Sequence, residues 1–275
     1  MPAAPADLPT PPETLFLATI PGATPSTWVQ RFSSRARTVQ LVNHEEAQQA
    51  AHLAHDAAGA PLHPLPQLGY VRWLRDAGVE SVLRESGVDP RFVHVVGVYS
   101  ELPVVCVGKE HLLAAWDLEA DGPVPLAELD PAEHMDPARF APEPGAASNP
   151  LDSAELPGAG ERMALEIVAS GVGHVVLPQS VARVFGRKDV VVLPVACELD
   201  DVVGLSRADR EAAATRAEVA EEGDGVVPDG ADAPATTAPR HPGWDVGLAW
   251  LKEQDSELVQ SFVGVARGRR GGTSR

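Results

Sequence analysis

The stretch TLFLATIPGATPSTW, Thr14 to Trp28, sets the reading of the whole chain: an apolar run stops at Pro21-Gly22 and restarts in small hydroxyl residues ahead of a tryptophan. Leu15 to Ile20 has the length and content of a buried strand, and Pro21-Gly22 is turn chemistry. A helix follows from about Pro25 to Ser34. Two explanations of the hydroxyl cluster stand side by side. Either Thr24 or Ser26 caps that helix by accepting from its free N–H groups, or those N–H groups and the positive end of the helix dipole hold a ligand's carboxylate or phosphate.

Outward from this junction the pattern alternates. Strands are predicted at Val39 to His44, Gly69 to Trp73, Val93 to Val98, Val104 to Val107, Val175 to Leu177, Val190 to Val195 and Val246 to Trp250. Helices are predicted at Glu45 to Ala58, Glu161 to Ser170, Gln179 to Phe185 and Asp255 to Ala266. Strands separated by single helices give βαβ units and an α/β fold with mostly parallel sheets. Ala47, Ala50, Ala51, Ala54, Ala57 and Ala58 recur at three- and four-residue steps, a narrow packing face with Glu45 and Glu46 in the first turn. Asp76 to Arg91 reads as an inserted loop or short helix, and Leu112 to Gly158 as short ordered pieces.

Composition narrows the function classes. With 39 Asp and Glu against 22 Lys and Arg the chain carries −17, which opposes attraction to nucleic acid or an anionic membrane surface. Aromatic residues at 5 % do not build a stacking platform for single strands. Residues 1–12 read as a disordered Pro- and Ala-rich tail with no secretion signal, and no apolar run is long enough to cross a bilayer. A soluble, cytoplasmic protein is expected. Cys106 and Cys197 sit in valine-rich runs as small apolar residues without metal-type spacing. Residues 198–240 hold eleven acids against four arginines and end in PDGADAPATTAP, which predicts a disordered acidic insertion.

Five blocks then align in order: LATIPGATPSTW, GYVRWL, VVGVYSELPVVCVGKEHLLAAWD, ALEIVASGVGHVVLPQSVARVFGRKDVVVLPV and VGLAW with LVQSFVGVARGR. Together they resemble the effector-binding domain of LysR-type transcriptional regulators, in the stand-alone actinobacterial form without a winged helix-turn-helix. The resemblance implies a two-lobed fold of the type 2 periplasmic-binding-protein kind. Lobe I would be residues 13–101 plus 196–275 and lobe II residues 102–195, with crossings near Tyr99 to Pro103 and Val195 to Asp201.

It also implies a ligand between the lobes. Thr24, Ser26 and Thr27 would supply donors from the first wall, and Ser100, Gly171 and Gly173 would line the other. For the two glycines, tight-turn geometry alone is the stronger explanation. Arg72 would pair a carboxylate bidentately, or else lie on the surface with Asp76. His44, His52, His55 and His63 lack a completing ligand, and His52 and His55 fall on the solvent side of their predicted helix, so no metal is expected. No nucleophile elbow, Cys/His pair or phosphate loop is present, so neither a cofactor nor catalysis is expected.

The expected function is a sensor domain for a small, anionic effector. An enzyme acting on a small carboxylate, or an interaction module with a vestigial cleft, are the alternatives. A homodimer or a complex with a full-length LysR-type regulator, paired through the Glu45 to Ala58 and Glu161 to Ser170 helices, is expected. Direct DNA binding is not.

Overall fold

Leu15, Leu17, Leu68 and Val71 are wholly buried because they lie on interior strands, covered on both faces. The computed structural model describes residues 13–34, 36–142, 150–151, 157–198 and 239–268. The predicted disordered tail and nearly all of the acidic insertion lie outside the described residues. Strands β1 (Glu13–Thr19), β2 (Arg37–Asn43), β3 (Leu68–Leu74), β4 (Val93–Glu101) and β8 (Trp244–Leu251) form one sheet, in the order β2-β1-β3-β8-β4. Strands β5 (Pro103–Gly108), β6 (His174–Pro178) and β7 (Val190–Pro194) form a second, in the order β6-β5-β7.

Each sheet is covered on both sides. On the first, α1 (Ser26–Phe32) and α6 (Glu257–Ala266) bury Leu17, Tyr70, Leu248 and Phe262 on one face. Trp28 from the opening stretch stacks on Tyr70 with centroids 6.0 Å apart and planes 8° from parallel. The opposite face takes Leu53, Val71, Trp73 and Leu251 against α2 (Val79–Glu85). In the second lobe, α3 (Leu118–Asp121) sits in the loop-rich stretch after β5, while α4 (Ala159–Ala169) and α5 (Gln179–Val184) pack Leu165, Val168 and Val181 on Cys106 and Val175. Val105, Val107, Val124 and Leu193 fill its other side. Both cysteines are buried, and no disulfide joins them.

Strand direction follows connectivity. β1 runs parallel to β2 and β3, and β8 lies antiparallel between β3 and β4, so the first four strands share one direction. In the small sheet β5 is antiparallel to both neighbours, so β6 and β7, joined through α5, run the same way with β5 between them. The strands that follow a crossing, β5 and β8, are the reversed ones, which is why the small sheet contains no parallel pair. The first crossing is tighter than expected: β4 continues through Tyr99 and Ser100 to Glu101, and Leu102 alone separates it from β5. At the second, Val195 N–H donates to Pro103 O at 3.2 Å and Cys197 bridges to His241.

The predicted helix over Glu45 to Ala58 is not formed. Two 3-10 turns, Glu46–Gln48 and Ala51–Leu53, replace it. The alanine spacing allowed a helix, but long-range hydrogen bonds break it. Gln49 turns inward to accept from the Arg72 N–H at 2.6 Å, and His52 turns inward to donate to Ala249 O at 3.0 Å. A helix packed by its alanine face would turn both Gln49 and His52 away from the sheet.

Candidate functional site

The site lies where β1, β2 and β3 end. From β1 the chain leaves to α1 on one face, and from β2 it leaves toward Ala50 and Leu53 on the other, which opens a crevice at the carboxyl ends of the strands. Arg72, near the end of β3, forms the floor. It is 1 % exposed and holds three acceptors: Glu101 Oε2 at 3.0 Å from Nε, Pro21 O at 3.0 Å from Nη2, and the Glu46 carboxylate on Nη1. Burial opposes its charge, but Glu46 and Glu101 outweigh that and hold it protonated. The Glu46 carboxyl is raised by burial, with Arg72 opposing. Arg72 is therefore neither a surface residue paired with Asp76 nor a free cation facing a ligand.

The opening stretch makes a contact that neither expectation included. Pro25 occupies the N-cap position of α1 and no side chain caps it. Thr24, Ser26 and Thr27 are exposed. Gly22, at φ +81°, approaches lobe II so closely that a Cβ there would stand 2.5 Å from Ser180 Oγ and 2.9 Å from Val181 N. Its side-chain-free turn lets the lobes touch at the start of α5.

The other expected residues do not converge on that crevice. Ser100 Oγ is exposed and donates to Asp245 Oδ1 at 2.6 Å. Gly171 and Gly173 precede His174, and the β5–β6 register puts His174 opposite Val107 while Pro178 stands opposite Pro103 at the crossing. The glycines thus lie at the far end of lobe II. Gly173, at φ +62°, has a reason of its own: a Cβ would come within 2.2 Å of Glu133 O.

Between the lobes lies a cavity of about 380 Å³, lined by Glu46, Gln49 and Trp244 from lobe I and by Asp136, Glu161 and Pro178 from lobe II. Glu45 spans it. Its carboxylate accepts from Gly158 N–H at 2.9 Å and Ala159 N–H at 3.2 Å, so an acid of lobe I caps α4 of lobe II. The contact has a consequence for Glu161, which sits at the third helical position, where a glutamate ordinarily reaches back to the N-cap N–H. Glu45 already holds that N–H. Glu161 is 7 % exposed, and its pKa is pushed up to about 7 by burial first, then by Glu46 and Glu45, with its own N–H and Arg72 opposing.

Two histidines expected in solvent or as candidate ligands are internal. His52 lies under Gly69, and burial pushes its pKa down to about 4. His44 donates through Nε2 to Pro150 O at 2.7 Å, a further tie between the lobes. Among the described residues no group of three or more His, Cys, Asp or Glu could hold a metal ion.

Sequence reasoning missed Glu45, Glu46, Gln49, Glu101 and Glu161. The paired acids directly after a strand were the available signal. They were assigned to a helix dipole because the alanine pattern suggested a helix there.

No family model matches the sequence, and no curated protein does. Solved structures do. The BenM effector-binding domain with its effector benzoate is 13 % identical, with 93 % of this chain and 91 % of that chain covered at a TM-score of 0.51. Full-length BenM is 12 % identical, with 94 % and 68 % covered at 0.51. CbnR, a LysR family transcriptional regulator, is 15 % identical, with 93 % and 69 % covered at 0.47. The chain has the two-lobed α/β fold of an effector-binding domain. No helix among the described residues is long and apolar enough to cross a membrane.

Proposed function

We propose that this chain is a non-enzymatic, ligand-binding regulatory domain in which a small molecule enters between the two lobes and changes how they close. The observation that carries the reading is the position of the cavity, at the carboxyl ends of β1 to β3 and against α4, in a fold shared with a domain whose effector is benzoate. Lobe closure is already defined by identifiable contacts, Glu45 on α4, His44 on Pro150 and Gly22 against α5. A ligand that prefers one separation of the lobes shifts their balance by its differential affinity.

The enzyme reading finds less support. Cys106 is buried with its thiol pushed up to about 12, which keeps it from acting as a nucleophile. The anionic effector expected from the sequence relied on Thr24, Ser26, Thr27 and Arg72. The hydroxyls are not among the cavity-lining residues and the guanidinium is already paired. The −17 charge supports a role without direct DNA contact. Association as a homodimer, or with a full-length LysR-type regulator, would use α4 and the β2 edge, since the second helix expected at that surface is absent.

The test is a thermal-shift and calorimetric screen of the full chain against metabolite-sized compounds, with mass analysis of each binder after incubation. Binding without conversion is expected. Turnover of any binder, or the absence of any binder, would overturn the proposal.

A further inference from the structure

Resting on the proposed ligand-binding role, we infer that the interlobe cavity takes an organic cation, a protonated amine or amidine carried on an apolar body, and that Glu161 is the carboxylate that pairs with it. The other charged groups at the site already hold partners. Arg72 is committed to Glu46, Glu101 and the Pro21 carbonyl. Glu45 is committed to two backbone N–H groups of α4. Asp136, on the rim, caps the turn that follows it through Ala138 N–H at 3.0 Å. Glu161 alone of the cavity's carboxylates has no partner among the described residues beyond its own N–H.

Glu161 is also the most costly of these to leave alone. It is more than nine-tenths buried and lines the cavity, and Glu45 occupies the backbone N–H that a glutamate at this helical position normally takes. A buried carboxylate without a cation either takes up a proton or waits for a counter-charge. Burial is the first cause that raises the Glu161 carboxyl; Glu46 and Glu45 add to it, and Arg72 opposes more weakly than they act.

An anionic ligand would enter a space walled by Glu46, Asp136 and Glu161 and find no uncommitted cationic side chain among its lining residues. A cation finds Glu161 at once. The rest of the wall defines the remainder of the ligand: Val176, Leu177, Pro178 and Trp244 give an apolar surface on which an aromatic or aliphatic body can lie.

Three probes on one skeleton, benzylamine, benzamide and benzoate, test this on the full chain at pH 7.5 by calorimetry and thermal shift, with the hexyl series hexylamine, hexanamide and hexanoate in parallel. The amine of at least one series is expected to bind and raise Tm, and the matching carboxylate to leave Tm unchanged. Glu161→Gln should weaken the amine at least tenfold, because a charge-assisted pair becomes a neutral one, while the variant stays folded with Tm at or above that of the parent. Asp136→Asn, on the exposed rim, gives a second variant with a smaller loss. Binding of the carboxylates and not the amines would overturn the cation assignment and leave the ligand-binding role standing. Amine binding unchanged by Glu161→Gln would overturn the role of Glu161. No binding by any of the six, together with no binder in the wider screen, would remove both proposals.

Discussion

Arg72 and Glu161 are both buried charged residues facing one crevice, one from each lobe, yet their surroundings are opposite. The first is enclosed by acceptors that match it: two carboxylates, a carbonyl and a glutamine that fixes its backbone. The second faces other acids and has lost its local partner to Glu45. A compensated buried charge belongs to the architecture, because removing it strands its partners. An uncompensated one adds nothing to the fold, and its presence points to something that arrives later. Burial and charge alone do not separate these cases. The separation comes from counting what each group already holds.

The largest effect should follow from breaking the compensated side. Arg72→Met leaves Glu46 and Glu101 facing each other without a cation, which costs about 3–5 kcal/mol for a buried pair broken at one partner. For a protein of this size that corresponds to a fall in Tm of about 10 °C, read by calorimetry. Glu161→Gln under the same conditions should lose nothing. Equal losses from both substitutions would erase the distinction drawn between the two walls.

A second, smaller effect tests whether the lobes are held by the contacts described. Gly22→Ala puts a Cβ 2.5 Å from Ser180 Oγ at a residue whose φ is +81°, so strain and collision act together, at roughly 1–3 kcal/mol. Part of that should appear as an opening of the lobes, visible as a larger radius of gyration in solution scattering. Loss of stability with unchanged dimensions would mean that the clash is absorbed within lobe II.

The pH dependence sharpens the comparison by sign. Glu161 in the folded state titrates near pH 7 against an ordinary value of 4.5, so between those values the unfolded chain has released a proton that the folded chain keeps, and stability falls as pH rises. His52 titrates near 4 against 6.5, so stability falls as pH drops through that window. Glu45, Glu46, Asp136, His134 and Arg72 share the cavity with Glu161 or lie at its floor and modulate the first slope. From pH 4.5 to 6.5 the two slopes offset each other, each on the order of 2 kcal/mol. Denaturant titrations should show little change for the parent, a rise toward pH 6.5 for Glu161→Gln, and a fall for His52→Gln. A parent curve that responds to neither substitution would show that these two groups do not set the pH response.

How much of this was legible in the sequence depends on how local the cause is. β1, β3 and α6 were readable because Leu15, Leu17, Tyr70 and Phe262 declare their burial by spacing, and the two-lobed architecture was implied by the resemblance that the five ordered blocks carry. The segment after β2 was not, because Gln49 and His52 take partners 23 and 197 residues away. The ligand residues were hard to place for the same reason. Thr24, Ser26 and Thr27 have the chemistry of an anion site but are not among the residues that line the interlobe cavity. Glu161 became notable only once Glu45 was seen to reach α4 across the cleft, 113 residues away in the chain.

The smallest expected effect returns to those three hydroxyls. Each is exposed, none caps α1, and none lines the interlobe cavity. The triple substitution of Thr24, Ser26 and Thr27 by Ala should change stability by no more than about 0.5 kcal/mol, the range of ordinary surface replacements, and should leave amine binding within twofold of the parent. Calorimetry on the variant decides it. Abolished binding of a carboxylate probe, with amine binding absent from the parent as well, would return the ligand to the start of α1 and would make the acids of the opposite wall a structural feature after all.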